Sequence, residues 1–302
     1  MKFSSILSKI QPKRNLYAFT VGTAAGCAVG LCGWGGAQVI IPSMTLPMSF
    51  ANYSQLSATG ISLSSLSVST LSSGYRFWEK DRVHLPIVLA IGIPAVFSAR
   101  VGSHIAKKLS GDALALFFNG FSIVLIPTHF YIQKRAKGRQ PEVSSKGQEY
   151  DGIDPVCTTA TATARSSHPL TWPQVAQHAS FGICSGIISA LMGVGGLPLT
   201  MSYITEATHL PHHYVQGTAV CALIPSILVS AASRIHSIPV QAAVSVALGA
   251  MVGGYGGAQV ALDLTEEQLR TIYMTSLVVF GGRSTFGAAR NIRNIIQANR
   301  GR

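Results

Sequence analysis

The sequence predicts an all-α, polytopic membrane protein of about eight transmembrane helices, built from two similar four-helix repeats with Gly-broken first helices. Three observations carry this. Only 11% of the 302 residues are charged and 48% are hydrophobic, whereas soluble domains are about 25% charged. Eight apolar segments can be drawn, at roughly 17–46, 55–75, 85–105, 113–132, 175–203, 214–235, 240–262 and 269–287. The first and the fifth are about 30 residues long, more than the ~20 that span a bilayer. Each is interrupted by a glycine cluster, Gly33-Trp34-Gly35-Gly36 and Gly193-Val194-Gly195-Gly196, with Pro42 and Pro198 following.

The elements follow in order. Residues 1–16 form a basic tail carrying Lys2, Lys9, Lys13 and Arg14, with no acid before Glu79. This reads as a tail that holds the first helix in place. Its Ser-containing, acid-free composition is also that of a mitochondrial targeting segment, so a plasma membrane and a mitochondrial inner membrane both stay open. Residues 17–132 form the first transmembrane repeat. Residues 133–171, with KRAKGR and TTATATARSS, read as a flexible polar linker. Residues 172–287 form the second repeat and 288–302 a basic tail.

Three landmarks recur in the same order in the two halves. The glycine clusters match each other, Tyr53-Ser54-Gln55 resembles Tyr214-Val215-Gln216, and Val101-Gly102 aligns with Gly256-Gly257. A duplication accounts for this. With eight true spans and the N-terminus inside, eighteen of the 23 Lys and Arg fall on the inner side and three outside. If each broken segment instead folds back as a re-entrant hairpin, the halves are inverted and the charges balance. The positive-inside rule favours the first arrangement, with parallel repeats and the termini and linker on one side.

The net charge of +12 does not indicate nucleic acid, because the basic residues sit at the ends of apolar segments. The five cysteines include no C-x-x-C pair, and no nucleophile elbow, P-loop or H-E-x-x-H is present. No enzyme activity, catalytic residue, cofactor or metal is expected. His209, His212 and His213 read as a solvated loop.

The chemistry is expected at the breaks. A membrane helix interrupted by glycines at matching places in two halves points to a transporter's substrate site. A half-helix N-terminus there favours an anion, with Pro198 suited to the first turn of the new piece. Gly22, Gly26 and Gly30, and Gly182 with Gly186, have the spacing of close helix packing. In the second span Ser62, Ser65, Ser69 and Ser72 share a face, which either lines a polar path or bonds back to its own helix. Gln55 and Gln216 are candidates at related positions. Arg100 and Arg283 lie within spans without a nearby acid. Arg100 is the better placed to face an anion, with interfacial snorkelling as the alternative.

The run Gly22-x-x-x-Gly26-x-x-x-Gly30-x-x-Gly33-Trp34-Gly35-Gly36 to Pro42, its second copy from Gly182, and the following Gln55, Ala58-Thr59-Gly60 and Gln216-Gly217-Thr218-Ala219 resemble the signature of the TauE/SafE sulfite-exporter-like family. The resemblance covers roughly residues 17–287. It implies a transporter of a small anion, sulfite, a sulfonate or a related organic anion, by a secondary or facilitative route. Its motif positions here are Gly33, Gly35, Gly36, Pro42, Gln55, Gly193, Gly195, Gly196 and Gln216. Ala37 and Leu197 stand where many members have a third glycine. Two rivals are a thiol or sulfur-group carrier using Cys32 and Cys184, and a non-transporting scaffold acting through 133–171. The expected partners are the small anion and the lipid bilayer. No oligomeric state follows from the sequence.

Overall fold

A computed structural model describes residues 12–45, 53–139, 171–208, 210–276 and 278–279. The described residues are helices and their connections: α1 (Pro12–Cys32), α2 (Ala37–Thr45), α3 (Gln55–Glu79), α4 (Leu85–Lys108), α5 (Gly111–Arg139), α6 (Trp172–Met192), α7 (Leu197–Ala207), α8 (His212–Ser233) and α9 (Val240–Asp263). A further helix, α10, starts at 266. Five of these, α1, α4, α6, α8 and α9, are long and apolar enough to cross a bilayer. Helix α5 runs on to Arg139, so the KRAKGR stretch is helical rather than the start of a flexible linker. Arg283 and His209 lie outside the described residues.

Local signals set the helix ends. Thr171 and Gln174 form a capping box on α6, with Pro173 in the first turn. Thr265 and Gln268 bond reciprocally at the start of α10. Ser54 accepts from the Ser57 amide at the start of α3. Lys107 and Lys108 lie in the last turn of α4, where cations suit the helix dipole.

The broken first segments do not continue across. Helix α2 turns back along α1: Tyr17 Oη donates to the Ser43 carbonyl at 3.2 Å. At the far end of the pair, Arg14 donates to Tyr53 Oη and lies over its ring. A Cβ on Gly36 would stand 2.9 Å from the Ala25 carbonyl oxygen. Helix α7 turns back along α6 in the same way. Tyr203 stacks on Phe181 and bonds His178 at 2.8 Å, while Gly196 lies against Ser185 and Ser189. Both glycine clusters are therefore tips of re-entrant hairpins.

The two hairpins have opposite sense. Helix α1 packs in parallel on α9, with Gly22 against Val246, Gly26 against Ala250 and Gly257 against Cys27. Helix α6 packs in parallel on α4, with Gly182 against Ile91, Gly186 against Ala95 and Gly102 against Ile187. These are equivalent contacts, each made between halves, so the repeats interlock. Helices α3 and α8 cross antiparallel at the centre: Gly217 meets Phe77, Gly74 meets Cys221, and Gly60 meets Arg234. At nearly all these glycines a Cβ would run into facing backbone or side chain, which is how small residues let membrane helices approach.

This corrects the parallel, eight-span reading. The repeats are inverted, and each is a hairpin followed by three further helices. Helix α5 ends at the face opposite the one where α1 begins. The charge count misled because it presumed that every long apolar segment crosses once. An apolar run with a reversal at a glycine break has the same composition as one without.

Candidate functional site

The hairpin tips meet. Gly33 ends α1 in the left-handed region (φ 63°) and Gly193 ends α6 in the same way (φ 74°). Their amides bond back to the Val29 and Ser189 carbonyls, both at 3.0 Å. Such a left-handed residue is the usual helix stop and favours glycine. Gly35 lies directly on the Val194 carbonyl, closer than any side chain would allow. The repeats run in opposite senses, so this contact lies near the pseudo-two-fold axis that relates them. Both tips are buried in core shared by the two halves. Trp34 belongs to a cluster with Cys32, Ile91, Met201 and Val215, and Val194 to one with Ile40, Leu66, Leu223 and Ile227.

Helices α2 and α7 both begin at this junction. Two positive half-helix ends therefore converge there; in α2 the Gln38 and Val39 amides bond back to the Gly35 and Gly36 carbonyls at 3.3 and 3.0 Å, and in α7 Pro198 brings no N–H to the first turn. Helices α1 and α6 end at the same place and bring carbonyls with them, and side-chain donors cover several of those. Gln216 Nε2 donates to the Gly30 oxygen at 2.7 Å and Ser62 Oγ donates to the Gly193 oxygen at 2.9 Å. Arg234 Nη2 donates to the Ala190 oxygen. With the Gly30, Ala190 and Gly193 carbonyls occupied, the dipoles of the two half-helix N-termini favour negative charge at the junction.

The expected site residues divide accordingly. Gly33, Gly35, Gly36, Gly193, Gly195, Gly196 and Gln216 come together, all buried. Pro42 lies inside α2, away from the junction, while Pro198 takes the first turn of α7. Gln55 is the first residue of α3, beside Gly111, far along the helix from the break. The residue equivalent to Gln216 is instead Thr59, since Gly193 packs on Thr59 as Gly33 does on Gln216. Arg100 is exposed on the outer side of α4, the position of a residue that snorkels.

Most α3 hydroxyls bond back to their own helix: Ser65 to Ile61, Ser67 to Leu63, Thr70 to Leu66 and Ser73 to Ser69. Ser62 is the member of the expected stripe that reaches a break. His212 and His213 are not in a solvated loop. They open α8, half-buried, and the His212 amide donates to Glu266 at 2.6 Å. The His212 ring packs edge-on to Tyr273, which in turn lies 6.4 Å from Trp34. Cys32 is buried and Cys184 is exposed.

Sequence reasoning missed Arg234. The sequence places it at the inner end of the sixth apolar segment, as a topology-setting charge, yet it is 1% exposed. Pairing Thr59-Gly60 with Gln216-Gly217, rather than Tyr53-Ser54-Gln55 with Tyr214-Val215-Gln216, would have placed it opposite Phe77.

Five helices long and apolar enough to cross a bilayer, with two re-entrant tips in contact, fit an integral, multi-pass membrane protein, and its similarity to known proteins gives its class. Residues 18–284 match the family described as Sulfite exporter TauE/SafE, and the chain belongs to that family. It is 22% identical over 240 residues to the "Probable membrane transporter protein YdhB" of Bacillus subtilis strain 168, covering 78% of this chain and 85% of that protein. No solved structure matches it.

Proposed function

We propose that the protein is a secondary or facilitative transporter of a small anion, sulfite, a sulfonate or a related organic anion, held where the two glycine breaks meet. One observation carries this reading. Two half-helix N-termini converge at the Gly35–Val194 contact, while Gln216, Ser62 and Arg234 occupy the opposing carbonyls. Oxyanions suit such ends because backbone amides supply donors and the helix dipole supplies positive potential. Both breaks are buried along their length, so access from either face requires the halves to move. The interlocked inverted repeats provide two equivalent bodies for such a movement.

The test is a thermal-shift screen of the purified protein against sulfite, sulfate, thiosulfate, sulfoacetate and small carboxylates, followed by flux into proteoliposomes of any anion that binds. A stabilising anion that is also transported supports the reading. Stabilisation and flux with none of them contradicts it.

A further inference from the structure

We propose that Arg234 is the fixed positive charge of the anion site, a binding residue at the second glycine break; this rests on the anion-transport reading above. Arg234 caps the end of α8 before the 3-10 turn Ile235–Ser237 and is among the largest fully buried side chains. Its Nη1 donates to Thr59 Oγ1 at 2.7 Å. Its Nη2 donates to the Ala190 oxygen and, at 3.5 Å, to the Leu191 oxygen. Its Nε has no acceptor among the described residues. Among those residues the guanidinium bonds carbonyls and a hydroxyl and no carboxylate. Thr59 in turn closes on Gly193, so the charge stands one side chain from the break.

The pseudo-symmetry shows what the charge is not needed for. A Cβ on Gly217 would lie 3.0 Å from Phe77 Cβ, and one on Gly60 lies 3.9 Å from Arg234 Cβ. Phe77 thus holds the first-repeat place that Arg234 holds in the second, and Gln216 the place of Thr59. At the end of α1 the neutral Gln216 alone satisfies the Gly30 carbonyl, and the apolar Phe77 makes no bond to it. At the end of α6 threonine is too short to reach the equivalent Ala190 carbonyl, and Arg234 reaches it instead. A neutral glutamine would have done the same work.

Magnitudes favour a further role. A cation at a helix C-terminus gains a modest stabilisation, larger in buried geometry. Desolvating a charge costs more than that. Neutral carbonyls and a hydroxyl leave that charge uncompensated, whereas an arriving oxyanion compensates it. Sulfite, sulfonate and carboxylate groups present paired oxygens that match the guanidinium fork.

The experiment transplants the first repeat's arrangement into the second. The double variant Thr59→Gln/Arg234→Phe restores a neutral donor for Ala190 and removes the charge. Wild type and variant are purified and reconstituted, and thermal midpoint, anion affinity and uptake are measured with sulfite and with a small carboxylate. The variant is expected to remain folded and monodisperse, with affinity lowered at least tenfold. Wild-type affinity in the folded variant would reduce Arg234 to a helix cap and overturn the inference. Should the double variant misfold, Arg234→Lys and Arg234→Gln decide. Lysine is expected to keep most of the binding and glutamine to lose it, and equal behaviour of the two overturns the inference. A wild type that binds and moves none of the anions tested would sink the transport reading itself.

Discussion

Gly35→Ala is the smallest change that addresses the junction. The added methyl would fall roughly 1 Å inside the ~3.3 Å of ordinary C···O contact with the Val194 carbonyl. That neighbour is backbone at the tip of the other hairpin, so no side-chain rotation relieves the clash. Overpacking of this kind costs about 1–3 kcal/mol. The φ of Gly35 is not positive, so the whole effect comes from the approach of the two tips. If about 1.4 kcal/mol of the strain falls on the transport-competent arrangement, the rate drops tenfold. Gly256→Ala is the control, since nothing lies within 4 Å of that position. The assay is anion flux in proteoliposomes, normalised to reconstituted protein. Gly35→Ala is expected to insert normally and to lose at least tenfold in flux, with Gly256→Ala unaffected. Wild-type flux in Gly35→Ala would mean that the tips do not have to touch.

The remaining predictions concern the residues around that contact. Gln216→Met keeps length and burial but leaves the Gly30 carbonyl without its donor. It should destabilise the protein by about 1–3 kcal/mol, read as a lower thermal midpoint, and an unchanged midpoint would show that the bond contributes nothing. Arg100→Gln should leave anion affinity within about twofold, because Arg100 is exposed on the outer side of α4. A tenfold loss in binding assays would return Arg100 to the pathway. Gly26→Val places bulk against the Ala250 backbone and should separate α1 from α9. Its expected signature is poor recovery of monodisperse protein, so wild-type yield and midpoint would refute the packing account.

The breaks were legible because clustered glycines weaken a helix wherever they fall, and here they fall inside apolar runs too long for one crossing. The spacing of Gly22, Gly26 and Gly30 likewise announced a close contact, though not that α9 would be the partner. The reversal at Gly33–Gly36 was not legible, since a hairpin and a continuous span use the same apolar composition. Charge counting then favoured the wrong sense. Arg100 and Arg234 look alike in sequence, each an arginine near the end of an apolar segment. Which one turns inward depends on helix rotation, and a helix that is apolar on most sides gives no periodic signal for that. The pairing of Gln55 with Gln216 failed because a short Tyr-x-Gln likeness outweighed the glycines. Gly60 and Gly217, each pressed against an equivalent neighbour across the α3–α8 crossing, fix the true register.

The sidedness of the two ends of the first repeat tests the inverted-hairpin architecture most directly. Single cysteines at Ser5 and at Ser144, each in a background with the five native cysteines replaced, can be probed in sealed, oriented vesicles with a membrane-impermeant maleimide. The hairpin at Gly33–Gly36 places the start of α1 and the end of α5 on opposite faces, so one position is expected to label from outside and the other only after permeabilisation. Labelling of both from the same face would contradict the re-entrant hairpin, and with it the meeting of the two glycine breaks near the pseudo-two-fold axis.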